Sequence, residues 1–378
     1  MKKIAGITLF CCGFFITHAQ NEILKGTIGT LPVIMELFTY EDTVASVTYF
    51  YENRRKNIEL NGKVHKDGSI TVVCYNNYDE RFNSKSEKLE LKKVKDRYTG
   101  KWISTKKTLP VNLTLFSIEG IKHPFAQQPD IQKLKKESPL DYVRTAGLQF
   151  IKDSTIRKNG FFLDWYHEKY SHIPLFRLRK ETMTSSIKKV NQQLEEIQIG
   201  QSNAFLTCTS SKGDTEYGQT INSIYLNNDL LSINMSTSYY CGGAHPDFAS
   251  TGFNFDLNTG ALLNLDDVLW FGKTKIPKED TDGWYNYRDS VFAPKVVALL
   301  KQLYPKEMKK PANEAEYCDY SEPKIWNFPN WHFTPKGLYM GGYFARVARA
   351  CDQPEWSIIP YKIVRKYLNP SIKIKLPE

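Results

Sequence analysis

The stretch from Leu231 to Gly260 leaves the fewest ways to fold. Leu231, Ile233 and Met235 alternate with Ser232, Asn234 and Ser236, the period of a half-buried strand. Gly242-Gly243 then allows backbone angles closed to other residues, and Pro246 cannot donate to a strand ladder. Alternation resumes at Phe253, Phe255 and Leu257, and Asn258-Thr259-Gly260 is turn chemistry. Two strands joined through a double glycine are predicted, and a sheet with one apolar face must bury it against a second layer.

The N-terminal third reads as short strands. Ser46–Tyr51, Ile58–Gly62, Ile70–Tyr75, Tyr98–Trp102 and Val111–Leu115 each carry strand composition, with Asn61-Gly62 and Asp67-Gly68 as turn dipeptides between them. Turns at this spacing predict an antiparallel β sandwich or small barrel over residues 20–118. Nine Lys and Arg stand against three acids between Lys85 and Lys107. A patch for an anionic glycan, lipid or nucleic acid is one reading; a solvated hairpin whose lysines guard its edges is the one adopted. No nucleic-acid-binding motif is present.

Residues 1–19 have the form of a signal peptide: Lys2-Lys3, an apolar run from Ile4 to Ile16, and small residues before a cut after Ala19. Phe10 before Cys11 is unsuited to lipidation, and Cys11 and Cys12 would leave with the leader. No other run approaches the ~20 apolar residues of a membrane span. The chain has 51 basic and 41 acidic side chains; losing Lys2 and Lys3 leaves a surplus of +8. An exported protein, periplasmic or extracellular, is expected. Of the cysteines beyond the leader, Cys318–Cys351 is the preferred bridge and Cys208–Cys241 a second candidate. None shows a C-x-x-C spacing, so no zinc site is expected.

Residues 119–170, punctuated by Pro124, Pro129 and Pro139, are read as a linker with a helical segment. If the aromatic run from Phe161 is helical, His167 and His172 lie about 140° apart on it and cannot share a ligand. Residues 171–378 complete an α+β chain: a mainly antiparallel sheet with a few helices. Ile187, Val190, Leu194 and Ile197 have helical spacing behind a Thr184 cap. Strands are expected at Ala204–Thr209 and Ser223–Leu226, and a helix at Phe292–Leu303. Ser185-x-x-Lys188 matches the S-x-x-K of penicillin-recognising enzymes but lacks their partner motifs. Asp280-Thr281-Asp282-Gly283 has too few carboxylates for a calcium loop.

The sequence Gly242-Gly243-Ala244-His245-Pro246, followed by Phe253–Gly260 and Leu265-Asp266-Asp267-Val268, resembles the signature of the RsiV-like C-terminal domain family of bacterial envelope proteins. Trp331–Tyr339 and Ala350–Tyr361, with its closing Ile359-Pro360-Tyr361, resemble that family's last hairpin and strand. The likeness covers about residues 170–370. It departs at Arg349-Ala350-Cys351-Asp352-Gln353, where family members often have Tyr-Ala-x-Gly. The resemblance implies an exported envelope domain; its relatives include a lysozyme-binding anti-sigma factor and accessory domains beside polysaccharide deacetylases.

His245, with Asp247 to orient it, is the candidate base for an envelope glycan hydrolase or deacetylase-like enzyme. The alternative role for His245 is a hydrogen bond fixing the double-glycine turn. No nucleophile elbow, phosphate loop or zinc ligand set accompanies it, so neither cofactor nor metal is expected. The expected function is therefore a non-enzymatic binding module for peptidoglycan or another envelope glycan, or for a cationic exported protein such as lysozyme. Residues 201–267 hold seven acids against Lys212 alone. His245, Asp247, Asp256, Asp266 and Asp267 are accordingly the candidate binding residues, the carboxylates offering an acidic face.

Overall fold

Closing a small sheet into a barrel demands that neighbouring backbones cross tightly, and the first strands meet that demand with glycine. A computed structural model describes residues 20–40, 43–74, 87–209, 215–273, 275–311 and 318–377. The leader with Cys11 and Cys12 lies outside the described residues, as do Lys85 and Lys212. The chain divides into two units, Met1–Leu148 with Phe205–Thr215, and Gln149–Ala204 with Glu216–Glu378.

In the first unit β1 (Gln20–Ile28), β2 (Leu31–Tyr40), β3 (Val44–Tyr51), β4 (Ile58–Val64), β5 (Ser69–Val73), β6 (Lys88–Val94), β7 (Arg97–Ile103) and β8 (Thr108–Leu115) form a closed antiparallel barrel. β1 pairs with both β2 and β8, which removes the open edges. Alternate side chains such as Leu24, Met35, Tyr49, Val72 and Leu113 fill the interior. The Asp67-Gly68 turn is present, with Gly68 at φ +74° and the Asp67 carboxylate accepting from the Ser69 amide and hydroxyl. Asn61-Gly62 is instead inside β4, not at a turn. A Cβ on Gly62 would lie 2.0 Å from the Thr71 carbonyl oxygen, and one on Gly100 1.8 Å from that of Glu90. At these positions the glycine serves close strand crossing rather than chain reversal.

Two helices follow, α1 (Pro129–Glu137) and α2 (Pro139–Thr145). Leu140 and Val143 of α2 bury Ile34 and Phe50 on the barrel's outer surface. Arg144 is wholly buried there and bonds Asp141, Asn57 and, at 3.1 Å, the Arg55 carbonyl.

The second unit starts with β9 (Phe150–Lys158), β10 (Phe161–Glu168) and β11 (Pro174–Arg179), in sheet order β11-β10-β9. Residues 150–168 are thus a hairpin rather than part of a linker, and Phe161 opens a strand, not a helix. Without helical geometry the His167 and His172 rings are brought together, stacked 5.9 Å apart, and His167 Nδ1 lies 2.6 Å from Asp153. β9 hid from the pattern because it is exposed along almost its whole length and shows no apolar alternation.

Helix α3 (Ser185–Thr207) starts where Thr184 Oγ1 accepts from the Ile187 amide at 3.2 Å. It runs through Ala204–Thr207, where the sequence pattern predicted a strand; a short apolar run fits either element, and here the helix simply continues. Ile187, Val190 and Leu194 pack on Leu231, Ile233 and Phe255. Those three belong to a four-stranded sheet of β12 (Glu216–Leu226), β13 (Leu230–Tyr240), β14 (Asp247–Asp256) and β15 (Ala261–Leu262). After α4 (Leu265–Val268), α5 (Asp282–Tyr287), a π-helical turn at Arg288–Phe292 and α6 (Ala293–Leu303), a last sheet holds β16 (Asn330–Thr334), β17 (Gly337–Gly341) and β18 (Ile358–Pro360). A short α7 (Tyr361–Val364) ends the ordered elements. The whole is α+β with antiparallel sheets. Among the described residues no helix is long and apolar enough to cross a membrane.

Cys318 and Cys351 form a disulfide with Cα atoms 5.5 Å apart, and Cys208 and Cys241 are each in a disulfide as well. Such bonds fit an exported protein. Gly100→Ala should lower barrel stability by roughly 1–3 kcal/mol through forced backbone displacement; an unchanged urea midpoint would show that the crossing is slack.

Candidate functional site

The two faces of the β13–β14 pair have different fates. One carries Leu231, Ile233 and Phe255 onto α3. The other carries Ser232, Asn234, Ser236, Ser250, Gly252 and Asn254, and part of it is covered by β16. A Cβ on Gly252 would sit 1.9 Å from the Trp331 carbonyl oxygen, so only glycine admits this approach. Ser232 donates to Asn254 Oδ1 at 2.5 Å, Asn254 donates to the Trp331 carbonyl at 3.2 Å, and the Phe333 amide donates to Ser232 Oγ at 3.0 Å. Both polar residues are buried, which reverses the solvent exposure that alternation alone implies.

Where β16 stops covering this face, a groove opens. One part, a cavity of about 470 Å³, is lined by Ser236, Ser238, Phe248, Ser250, Phe328 and Tyr343 among others. It adjoins a second of about 440 Å³ through shared lining at Gly252, Phe328, Pro329 and Trp331. Phe248, Phe328 and Tyr343 are 45%, 45% and 60% exposed, so three aromatic side chains border the groove together. Asn330 donates to Ser250 Oγ at 3.1 Å and Ser250 to Asn234 at 2.9 Å, giving the floor an ordered polar network.

Arg349 closes one end. It bonds Asp247 at 2.6 Å, the Phe248 carbonyl at 2.7 Å and Asp352 at 3.0 Å, while lying over the Phe248 and Tyr343 rings. Asp352 in turn accepts from the Phe344 amide at 2.7 Å. Arg349, Asp352 and Gln353 all line this groove.

The five candidate residues do not converge. His245 is exposed on the loop between β13 and β14 and makes no hydrogen bond among the described residues. It neither fixes the turn nor receives orientation from Asp247, which is committed to Arg349. Asp256 is buried and organises the β14–β15 turn, accepting from the Asn258 amide and Thr259 hydroxyl. Asp267 caps α4, accepting from the Asn264 amide at 2.9 Å. Asp266 is 4% exposed and accepts from Arg288 and Trp284, each at 2.9 Å. Each of these four carboxylates thus has an internal partner. The smaller cavity instead meets Asp266 as a buried acid whose pKa is raised by burial, against the opposing pull of Arg288. Burial, and then the charge of Asp266, raises Asp267 as well.

Phe248, Phe328 and Tyr343 carry no signal in the sequence, where each is isolated, and Arg349 stands out there only by the break in resemblance; the fold gathers all four. Among the described residues, no group of three or more His, Cys, Asp or Glu is placed to hold a metal ion.

Two crystal structures of DUF3298 family proteins are similar to this chain. One, from Bacteroides fragilis, has 15% identity and a TM-score of 0.33, covering 59% of this chain and 94% of that one. The other, from Pseudomonas aeruginosa, has 14% identity and a TM-score of 0.31, covering 61% and 97%. No protein-family model matches, nor does any curated protein.

Asp266→Ala should cost about 3–5 kcal/mol, because Arg288 is then left buried without its counter-charge; a loss below ~1 kcal/mol in urea unfolding would refute that dependence. His332 on β16 is held down to about 4 by burial, so it is neutral in the folded state while an unfolded His takes up a proton near 6.5. Its contribution is present above pH ~6.5 and lost as pH falls towards 4, amounting to roughly 3 kcal/mol. His332→Gln should flatten the stability profile across that window.

Proposed function

We propose that this protein is an exported, non-catalytic module of the bacterial cell envelope, periplasmic or extracellular, that binds a glycan in the groove beside β16. The observation that carries this reading is the cluster of exposed aromatics, Phe248, Phe328 and Tyr343, around a floor of serines and asparagines. Sugar rings present an apolar C–H face and an equatorial set of hydroxyls, so they match aromatic walls beside fixed polar groups. Peptidoglycan is the first ligand to test, given the resemblance to the RsiV-like domain family and a leader suited to export. The engagement of Asp247, Asp256, Asp266 and Asp267 in internal contacts favours a glycan over a cationic protein such as lysozyme. The unpaired, unoriented His245 favours binding over hydrolysis or deacetylation.

Mature protein incubated with insoluble peptidoglycan should be retained at moderate salt and release no soluble fragments or acetate. Phe328→Ala with Tyr343→Ala should weaken retention about tenfold or more, equivalent to ~1.4 kcal/mol, with the circular dichroism spectrum unchanged. Turnover abolished by His245→Ala would replace this reading with an enzymatic one. Equal retention of the double variant would move the ligand away from the groove.

A further inference from the structure

A third cavity, of about 690 Å³, lies in the second unit between the segment after α4 and the chain following α7, and touches the 440 Å³ cavity only at Ile276. Lys273, Lys275, Lys295 and Lys366 all line it, and no Asp or Glu does. None of the four forms an ion pair with a described residue. The lysines come from three places in the sequence: the loop after α4, the first turn of α6, and the chain just beyond α7. The fold therefore gathers them, rather than a local run of charge. Aromatic packing and a backbone hydrogen bond hold the walls. Phe271 meets Tyr367 edge-on at 4.8 Å, Trp270 packs on Tyr287 at 4.4 Å, and the Trp270 amide donates to the Tyr367 carbonyl at 2.7 Å.

The four lysines are exposed at this cavity and no acid lines it, so a ligand carrying several negative charges meets cations there and no opposing carboxylate. Lysine suits phosphate as a compact point charge with three donors. We propose that this cavity is a binding site for a phosphorylated ligand, independent of the glycan groove. The phosphate could be borne by a soluble polyphosphorylated compound or by the headgroup of an anionic phospholipid; the recognition chemistry is the same.

The test uses the mature full chain and two probes. Sodium tripolyphosphate is titrated calorimetrically at low salt. Flotation is measured with phosphatidylcholine vesicles with and without phosphatidylglycerol. Wild type should bind tripolyphosphate saturably at one site, and the variant K273Q/K295Q/K366Q should lose at least tenfold in affinity. A control, K101Q/K106Q/K107Q in the basic β7–β8 region, should bind as wild type does. The cavity variant, altered only at exposed side chains, should unfold at the wild-type temperature; this separates lost binding from lost folding. Flotation dependent on phosphatidylglycerol and on the three cavity lysines would assign the phosphate to lipid. Tripolyphosphate binding alone would assign it to a soluble ligand. No saturable heat with wild type, equal binding by the cavity variant, or an equal loss in the control would each overturn the proposal. Peptidoglycan retention should be the same in the cavity variant, so failure of one site leaves the other standing.

Discussion

The second unit depends on a backbone-to-backbone approach that a single methyl group would prevent. Gly252 lets the Trp331 carbonyl come against β14, and the Ser232–Asn254 pair then supplies the hydrogen bonds that the approaching strand needs. A sheet normally covers one face and leaves the other wet. Here the second face is half covered, by polar contacts instead of apolar packing. The boundary between the covered and uncovered halves is where the groove begins, so the same contact that stabilises the layer also sets the position of Phe328 and Trp331.

Much of the architecture was legible because its physical causes are local. Asp67-Gly68, the alternation through β13 and β14 and the Thr184 cap each encode their structure within a few residues. Other signals were read correctly as chemistry but assigned the wrong cause. Gly62 is demanded by the opposite strand, not by a turn. Ser232 and Asn254 have the polarity of an exposed face, yet their partners are backbone groups about a hundred and about eighty residues away. Sequence periodicity records which side of a strand is apolar; it cannot record that a polar side has found a strand to bond. The carboxylates are a related case. Asp247, Asp256, Asp266 and Asp267 cluster in sequence, but each answers to a different local need: an arginine, a turn, a buried ion pair and a helix cap.

The groove itself could not be read from any one segment. Its walls come from the start of β14, the residues before β16 and the turn after β17, where Arg349 joins Asp247 to Asp352. In the sequence Arg349 stands out only where the resemblance to another family breaks off. In three dimensions it occupies a joint, bonding two acids from separate segments and lying over two aromatic rings.

The barrel has a consequence for how the protein is made. Its unit includes Phe205–Thr215, and within it the Asn57 amide donates to the Leu206 carbonyl while the Thr209 hydroxyl reaches Glu59. At roughly 5–20 residues per second of synthesis, those partners emerge several seconds after β8 has left the ribosome. During that interval the barrel must persist with its β3–β4 connection bare. No single cut in the chain yields either unit whole, so the two are covalently interleaved products of one translation rather than modules that could be shuffled apart.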